Sequence, residues 1–248
     1  MSVAVQRISE VLDAVASNPQ GATASEVASQ LSAGRQAIVR LLDSMVVEGV
    51  AIKDETTKRY RLSLKTYDWG SRAVAPYLPP FYLRQEIANL AGQVRHPVFY
   101  CILDGPDVVP LERTDRLGDG SVTVPNSGRV GRTHWSQSAW GKALVAFAPP
   151  DKREKLLGAE DNKTTDAREL RAELDAIRRQ GFAERQVAAD RMTLAAPILN
   201  SDGFTSGALA IGINNYLPDQ HDEILRDLLG VATRASYDAG YSPVLAAH

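Results

Sequence analysis

The chain has 248 residues, of which 44% are apolar and 23% charged, a balance typical of a globular protein with one or two domains. It has no run of about 18 apolar residues, so we expect no membrane span, and its charged N-terminal segment does not fit a signal peptide. The single cysteine, Cys101, excludes an intrachain disulfide and favours a cytoplasmic location. The net charge of −2 hides a local excess: residues 35–65 hold seven basic and four acidic side chains, which favours a phosphate-facing surface.

Three helices are predicted in the first 49 residues. Apolar residues at helical spacing predict the first helix over residues 5–16. Thr23 and Glu26 form a capping box that opens a short second helix. After a turn at residues 32–34, the third helix runs to Glu48 and has two faces. Its apolar stripe consists of Ile38, Leu41, Leu42 and Met45, and its polar face consists of Arg35, Gln36, Ala37 and Arg40.

A basic hairpin follows the third helix. Apolar residues alternate at Val50 and Ile52 and again at Tyr60 and Leu62, which predicts two short strands joined by the polar segment "DETTK". Helix, helix, turn, helix and hairpin in this order are typical of a winged helix-turn-helix. In that motif the second helix of the pair enters the major groove of DNA.

The polar face of the third helix and the hairpin supply the candidate DNA contacts. Arginine can fork onto guanine O6 and N7, and glutamine can pair with adenine N6 and N7, so we expect Arg35 and Gln36 to contact bases. Arg40 lies one turn later and is expected to reach phosphate. Lys58 and Arg59, placed at the hairpin tip, are expected to contact phosphate or the minor groove. The predicted DNA-facing set is Ser25, Arg35, Gln36, Ala37, Arg40, Lys58 and Arg59.

A second domain is predicted after a connecting helix over residues 64–74. Three prolines within residues 75–80 favour a domain joint, so we divide the chain into residues 1–63, a linker over 64–80 and a second domain over 81–248. In the second domain, helical and alternating patterns predict helices at the edges of a mostly antiparallel sheet. The fold class is therefore α+β.

The sequence carries little catalytic chemistry. Its four histidines are not spaced for metal binding, so we predict no metal, no cofactor and no catalytic residues. One alternative is a hydrolase that uses Ser138 or Ser136 with Lys142, but no general base or oxyanion motif accompanies them. A second alternative is a DNA-binding protein whose second domain only oligomerises.

Several motifs resemble the IclR family of bacterial transcription regulators. The resemblance spans nearly the whole chain in the family's order: "RISEVLDAVA", "TASEVASQLSAGRQAIVRLLDSMVVEGV", "RYRLS", "SQSAWGKALVAF", "ELDAIRRQGF" and "LAAPILN". It implies a winged helix-turn-helix joined by a helix to a GAF-like effector-binding domain. It also implies homodimers or dimers of dimers that bind a near-palindromic double-stranded operator.

The resemblance further implies a small-molecule pocket between the sheet of the second domain and the loop before the "GKA" helix. Residues from that loop and helix, from the last strands and from the preceding segment would line it, and Glu184 or Arg185 would reach its rim. The implied effector-binding set is Val122, Pro125, Thr133, Trp135, Ser138, Ala139, Trp140, Glu184, Thr193, Ala210 and Gly212.

The sequence departs from the family pattern at this pocket. Members that bind small oxoacids tend to carry Ser or Cys at the floor positions, where this chain has Thr193, Ala210 and Gly212. Trp135 and Trp140 add two aromatic rings, so we expect an aromatic or amide-like effector, unless both rings belong to the core. The expected function is that of a ligand-responsive DNA-binding regulator, and a repressor of a catabolic operon is favoured over an activator.

Overall fold

A computed structural model describes residues 3–116, 122–123, 131–160 and 167–242. It divides into two compact units, Met1–Pro76 and Tyr77–His248. The first unit contains four helices and three short strands among the described residues: α1 (Val3–Ala16), β1 (Ala22–Thr23), α2 (Ala24–Gln30), α3 (Arg35–Val47), β2 (Ala51–Lys53), β3 (Arg59–Leu62) and α4 (Leu64–Val74).

The first unit is a helix-turn-helix with a β wing. The predicted capping box is confirmed: the Thr23 N–H donates to Glu26 Oε2 at 2.7 Å, and the Glu26 N–H donates to Thr23 Oγ1 at 3.3 Å. Strands β1, β3 and β2 form an antiparallel sheet in that order. Strand β1 was missed by the sequence analysis because it is only two residues long and overlaps the cap of α2.

One small core holds α1, α2, α3 and the sheet together. Three residues of the predicted stripe of α3, Ile38, Leu42 and Met45, are buried, and Leu41 is half-buried. They pack against Val11 and Val15 of α1 and against the other core residues of this unit, which are Ala14, Ala22, Ala24, Val27, Ala28, Ala51 and Tyr60. Burial of this stripe leaves the opposite face of α3 exposed.

The second unit is built on an antiparallel sheet. Its described elements are α5 (Phe81–Val94), β4 (Val98–Asp104), β5 (Asp107–Arg116), β6 (Val122–Thr123), β7 (Thr133–His134), α6 (Ala139–Ala146), α7 (Pro150–Glu160), α8 (Ala167–Gln180), β8 (Ala183–Ala188), β9 (Arg191–Leu199), β10 (Thr205–Asn214) and α9 (His221–Asp238). The strand order is β6-β5-β4-β10-β9-β8, and β7 pairs with β5. The α+β class is confirmed, whereas α7 and β7 were missed by the sequence analysis.

Alternation along the central strands separates two layers of core. Leu194, Ala196 and Ile198 of β9 point to the face that α5 and α9 cover. Ala195 of β9 and Ala208 and Ala210 of β10 point to the opposite face, where α6 and α8 pack. Large residues on one face and alanines on the other allow α6 to approach the sheet closely.

Candidate functional site

The exposed face of α3 is the first candidate site. Gly34 caps α3 without a side chain, and the first turn of the helix contains no acidic residue. The side chains on the face of α3 opposite the core are exposed, namely Arg35, Gln36, Ala37 and Arg40. An exposed helix start with a positive side chain and no acid matches the part of a recognition helix that meets base edges.

Arg35 is held by a neutral neighbour. Its Nε donates to the Ser25 Oγ of α2 at 2.9 Å, and no described carboxylate pairs with it. The contact joins the two helices of the helix-turn-helix at their exposed side. Arg35 therefore keeps its full positive charge available to a ligand.

The wing differs in part from the sequence expectation. Lys58 lies at the tip, where its ammonium pairs with Glu55 at 2.8 Å. Arg59 was expected at the tip but lies in β3, where its Nη1 donates to Gly21 O at 2.7 Å and its Nη2 to Glu26 Oε1 at 3.1 Å. The reason is the antiparallel pairing of Arg59 with Thr23, which brings its side chain to the start of α2.

A second set of contacts fastens the wing to α3. The Asp43 carboxylate accepts hydrogen bonds from the Tyr60 hydroxyl at 2.7 Å and from the Lys53 ammonium at 3.0 Å. These two donors hold the pKa of Asp43 below its usual range, and hydrogen bonds with Tyr60 and Asp43 raise the pKa of Lys53. Asp43 lies on α3, so this cluster sets the position of the wing relative to that helix.

The second candidate site lies on the sheet face that α6 covers. Thr193 and Gly212 are directly opposite each other in the β9–β10 register, and Arg185 is opposite Thr193. The neighbouring row places Ala210 beside Phe99. Because opposed residues of antiparallel strands share a face, these side chains lie together on one surface. Thr193, Gly212 and Phe99 are half-buried, which leaves part of this surface open.

Aromatic rings border this surface. The rings of Phe99 and Trp140 meet edge to face, with centroids 5.2 Å apart. The Arg113 guanidinium lies over the Phe99 ring, 5.5 Å from its centroid. Phe99 and Arg113 were not among the predicted site residues, although each lies in an alternating segment that is typical of a strand. Together with Thr193 they form a partly apolar floor with a positive charge at one side.

Other predicted effector residues lie in the core. Trp135 has no exposed surface and packs with Ala139 and Ala210 in the cluster between the sheet and α6. Of the two tryptophans expected to wall the pocket, Trp135 is enclosed in the core, whereas Trp140 is half-buried. The backbone N–H of Trp135 donates to Pro106 O at 2.9 Å, which fixes the loop beneath α6.

The remaining predicted residues are dispersed. Ser138 caps α6, and its Oγ accepts from the Gly141 N–H at 3.1 Å. Thr133 lies half-buried in β7, and the Glu184 carboxylate lies 3.4 Å from His221 Nε2. The side chain of Val122 and the whole of Pro125 lie outside the described residues.

The geometry does not form the serine–lysine pair of the hydrolase alternative at Ser138, and Ser136 Oγ lies 3.0 Å from His134 Nδ1. The Lys142 ammonium donates to both oxygens of Glu173, at 2.6 and 2.7 Å, and Ser138 serves as the helix cap. A serine–lysine pair would require a lysine directed at the serine as its base. Across the described ranges there is no cluster of three potential metal ligands. The same ranges contain no helix whose length and apolarity would suit a bilayer crossing.

The described residues form a winged helix-turn-helix followed by an α+β domain. Residues 86–237 match the family model for the C-terminal domain of the bacterial transcriptional regulator IclR. The chain belongs to the IclR family, and the resemblance inferred from its motifs is confirmed.

Relatives and solved structures agree with this assignment. The helix-turn-helix-type transcriptional regulator KdgR of Dickeya chrysanthemi is 22% identical over 228 residues, which cover 88% of this chain and 73% of KdgR. The crystal structure of Thermotoga maritima IclR superposes with a TM-score of 0.71 at 20% identity and covers 96% of this chain and 99% of that one. An IclR homologue from Microbacterium hydrocarbonoxydans, solved with 4-hydroxybenzoate, has a TM-score of 0.70 at 22% identity and covers 95% and 98%.

Proposed function

We propose that this protein is a repressor of a catabolic operon whose operator affinity is set by a small organic effector bound to the second unit. The observation that carries the DNA-binding part is the exposed start of α3. There Arg35 has a serine as its partner, and the first turn contains no acid that would repel phosphate. The helix-turn-helix homologues support the same reading of the first unit.

The proposed division of labour within the DNA-binding surface follows from the contacts. Arg35 and Gln36 at the start of α3 contact bases, Ala37 allows close approach to a thymine methyl, and Arg40 contacts phosphate. Lys58 at the wing tip also contacts phosphate after it releases Glu55. Arg59 supports the wing through Glu26, so its contribution to DNA binding is mainly indirect.

Fluorescence anisotropy with the DNA upstream of the protein's own gene tests this surface. Arg35→Ala or Gln36→Ala should each weaken operator binding by about 5- to 150-fold and relax base choice at one position. Lys58→Ala should weaken binding to all sequences and reduce the salt dependence. The matched control is Arg226→Ala, which removes an exposed arginine from the second unit. Equal operator affinity of all four variants and the wild type would refute the assignment.

The effector is proposed to be an aromatic molecule with a carboxylate or amide oxygen. The half-buried rings of Phe99 and Trp140 supply apolar contact, and Thr193 and the guanidinium groups of Arg113 and Arg185 lie on the same sheet face for polar contact. The 4-hydroxybenzoate complex of the Microbacterium homologue favours this chemical class. Effector binding can change operator affinity only through different affinities for two arrangements of the DNA-binding units.

Calorimetry with 4-hydroxybenzoate, aromatic amides, pyruvate and glyoxylate tests the effector class. Binding of an aromatic compound should weaken at least tenfold in Trp140→Ala and remain unchanged in Tyr237→Ala, an exposed aromatic of α9. Binding of the two- or three-carbon oxoacids alone would refute the aromatic class. Binding of no compound would favour a second unit that only oligomerises, for which the full burial of Trp135, Ala139 and Ala210 is the supporting observation.

The proposed assembly is a homodimer or a dimer of dimers on a near-palindromic operator. Helix α4 buries none of its residues and exposes Leu64, Tyr67 and Trp69, an arrangement that favours contact with a second copy. Light scattering should give a mass of two or four chains, and Leu64→Glu should lower it. A monomer at micromolar concentration that binds one half-site would overturn this part of the proposal.

A further inference from the structure

Ser25 and Arg35 make a contact that no fold requirement explains. Both side chains are exposed, so their hydrogen bond contributes little to the stability of the helix pair. Helix α2 already has a complete cap from Thr23, and the core already joins α2 to α3. The contact acts mainly on the direction of the arginine side chain.

The arginine atom that donates to Ser25 determines which N–H groups of the guanidinium stay available. Arginine offers five N–H donors, and two edges of the group can each present a pair of them: the Nε–Nη edge and the Nη1–Nη2 edge. Because Ser25 Oγ accepts from Nε, the first edge is occupied. No described residue accepts from the Nη1–Nη2 edge, which can fork onto guanine O6 and N7.

The chemical nature of the partner is also informative. The wing cations Lys53, Lys58 and Arg59 pair with carboxylates, which cancel their charge. The serine hydroxyl orients Arg35 without cancelling its charge, and no described carboxylate competes for it. A long side chain that is already oriented loses less rotational freedom when it binds a base.

We propose that Ser25 is a positioning residue that presents the Nη1–Nη2 edge of Arg35 to one guanine of the operator. This inference rests on the proposed DNA-binding function and adds to it the base that Arg35 reads and the residue that sets its direction. Ser25 touches the arginine and leaves the base contact to it. Its loss should therefore reduce discrimination at that guanine far more than it reduces affinity for DNA in general.

The test replaces operator guanines one at a time with 7-deazaguanine, which keeps Watson–Crick pairing and removes the N7 acceptor. The guanine read by Arg35 is the position at which replacement weakens wild-type binding, by about tenfold, but has no effect on Arg35→Ala. In Ser25→Ala, the fold loss of affinity that 7-deazaguanine causes at this position should fall to about one third or less of its wild-type value. Ser25→Thr, which keeps the hydroxyl, should restore it.

The matched control is Ser29→Ala, which removes an exposed hydroxyl from the same helix and should behave as the wild type. Full sensitivity to 7-deazaguanine in Ser25→Ala would overturn the positioning role. An equal loss of affinity for operator and random DNA would also overturn it, because it would make Ser25 a phosphate contact. Selective operator binding without any position that depends on Arg35 would overturn this inference alone, whereas a wild type that binds no operator would overturn the proposed function as well.

Discussion

Replacement of Gly141 by alanine is expected to damage the second unit severely. A Cβ at Gly141 would lie 2.2 Å from the carbonyl oxygen of Trp135, 2.5 Å from its Cα and 2.7 Å from its carbonyl carbon. These are backbone atoms, and the Trp135 N–H is tied to Pro106 O, so neither side can yield without moving α6 or the loop. Ordinary van der Waals contacts begin at 3.4 Å, so α6 and the Trp135 loop would have to move apart by about an ångström.

The magnitude follows from what the separation disturbs. Overpacking of a core costs about 1–3 kcal/mol, and displacement of a fully buried tryptophan approaches the 3–5 kcal/mol of a Trp→Ala change. The better helix propensity of alanine offsets about 1 kcal/mol of this. We therefore expect a net loss of about 2–4 kcal/mol in the free energy of unfolding. For a unit of this size, that corresponds to a fall in Tm of the order of 5–15 °C.

Guanidinium unfolding and calorimetry measure this loss, and tryptophan emission in a Trp69→Phe, Trp140→Phe background reports Trp135 directly. Gly158→Ala is the matched control, because it lies in α7 and its added Cβ would meet nothing within 4 Å. The free energy of unfolding of the control should rise by about 0.5–1 kcal/mol, because alanine loses less conformational entropy on folding than glycine. A Gly141→Ala protein as stable as Gly158→Ala, with unshifted emission, would refute the close packing of α6 on the Trp135 loop.

Three further predictions concern the cap, the pH dependence and the cysteine. Thr23→Ala should lower the stability of the first unit by about 1 kcal/mol in urea unfolding, because it removes the cap of α2, and Ser29→Ala should not. Hydrogen bonds hold the pKa values of Glu26 and Asp43 below their usual range, so the stabilisation they give is present above their unfolded-state pKa values and is lost as the pH falls below about 4. Circular dichroism should therefore show acid unfolding, with a weaker dependence on acid in Asp43→Asn. An acid-unfolding profile of Asp43→Asn that equals the wild-type profile would contradict the Asp43 contacts. Burial raises the pKa of the fully buried Cys101 thiol, so a thiol reagent should label it only on unfolding, and rapid labelling of the native protein would be inconsistent with its position in the sheet.

Local patterns in the sequence were sufficient for most elements of the first unit. Helix α3 was predicted because its apolar residues recur with the helical period, and three of the four stripe residues are buried in the structure. The Thr23–Glu26 cap was predicted because both partners lie within one turn and need no distant contact. Strand β1 of the first unit and β7 and α7 of the second unit were missed, because a two-residue strand has no period and α7 has only a weak apolar pattern.

The partners of the site residues depend on contacts between distant parts of the chain. The sequence placed Arg59 beside Lys58 as a second tip cation, but strand pairing brings it to Glu26, 33 residues away. It offered Trp135 and Trp140 as equal candidates for the pocket, but the packing of α6 buries one and leaves the other beside Phe99. No local pattern contains this information.

By itself the sequence determined the helix-turn-helix, the basic wing, the α+β class and the family, since each depends on residue type and spacing within short segments. Only the tertiary structure decided which charged groups are already paired and which aromatic rings remain accessible. The physical reason is that periodicity fixes which face of an element is buried, whereas pairing depends on the register and packing of elements far apart in the chain. The clearest example is Arg35, whose exposure was predictable and whose hydrogen bond to Ser25 was not.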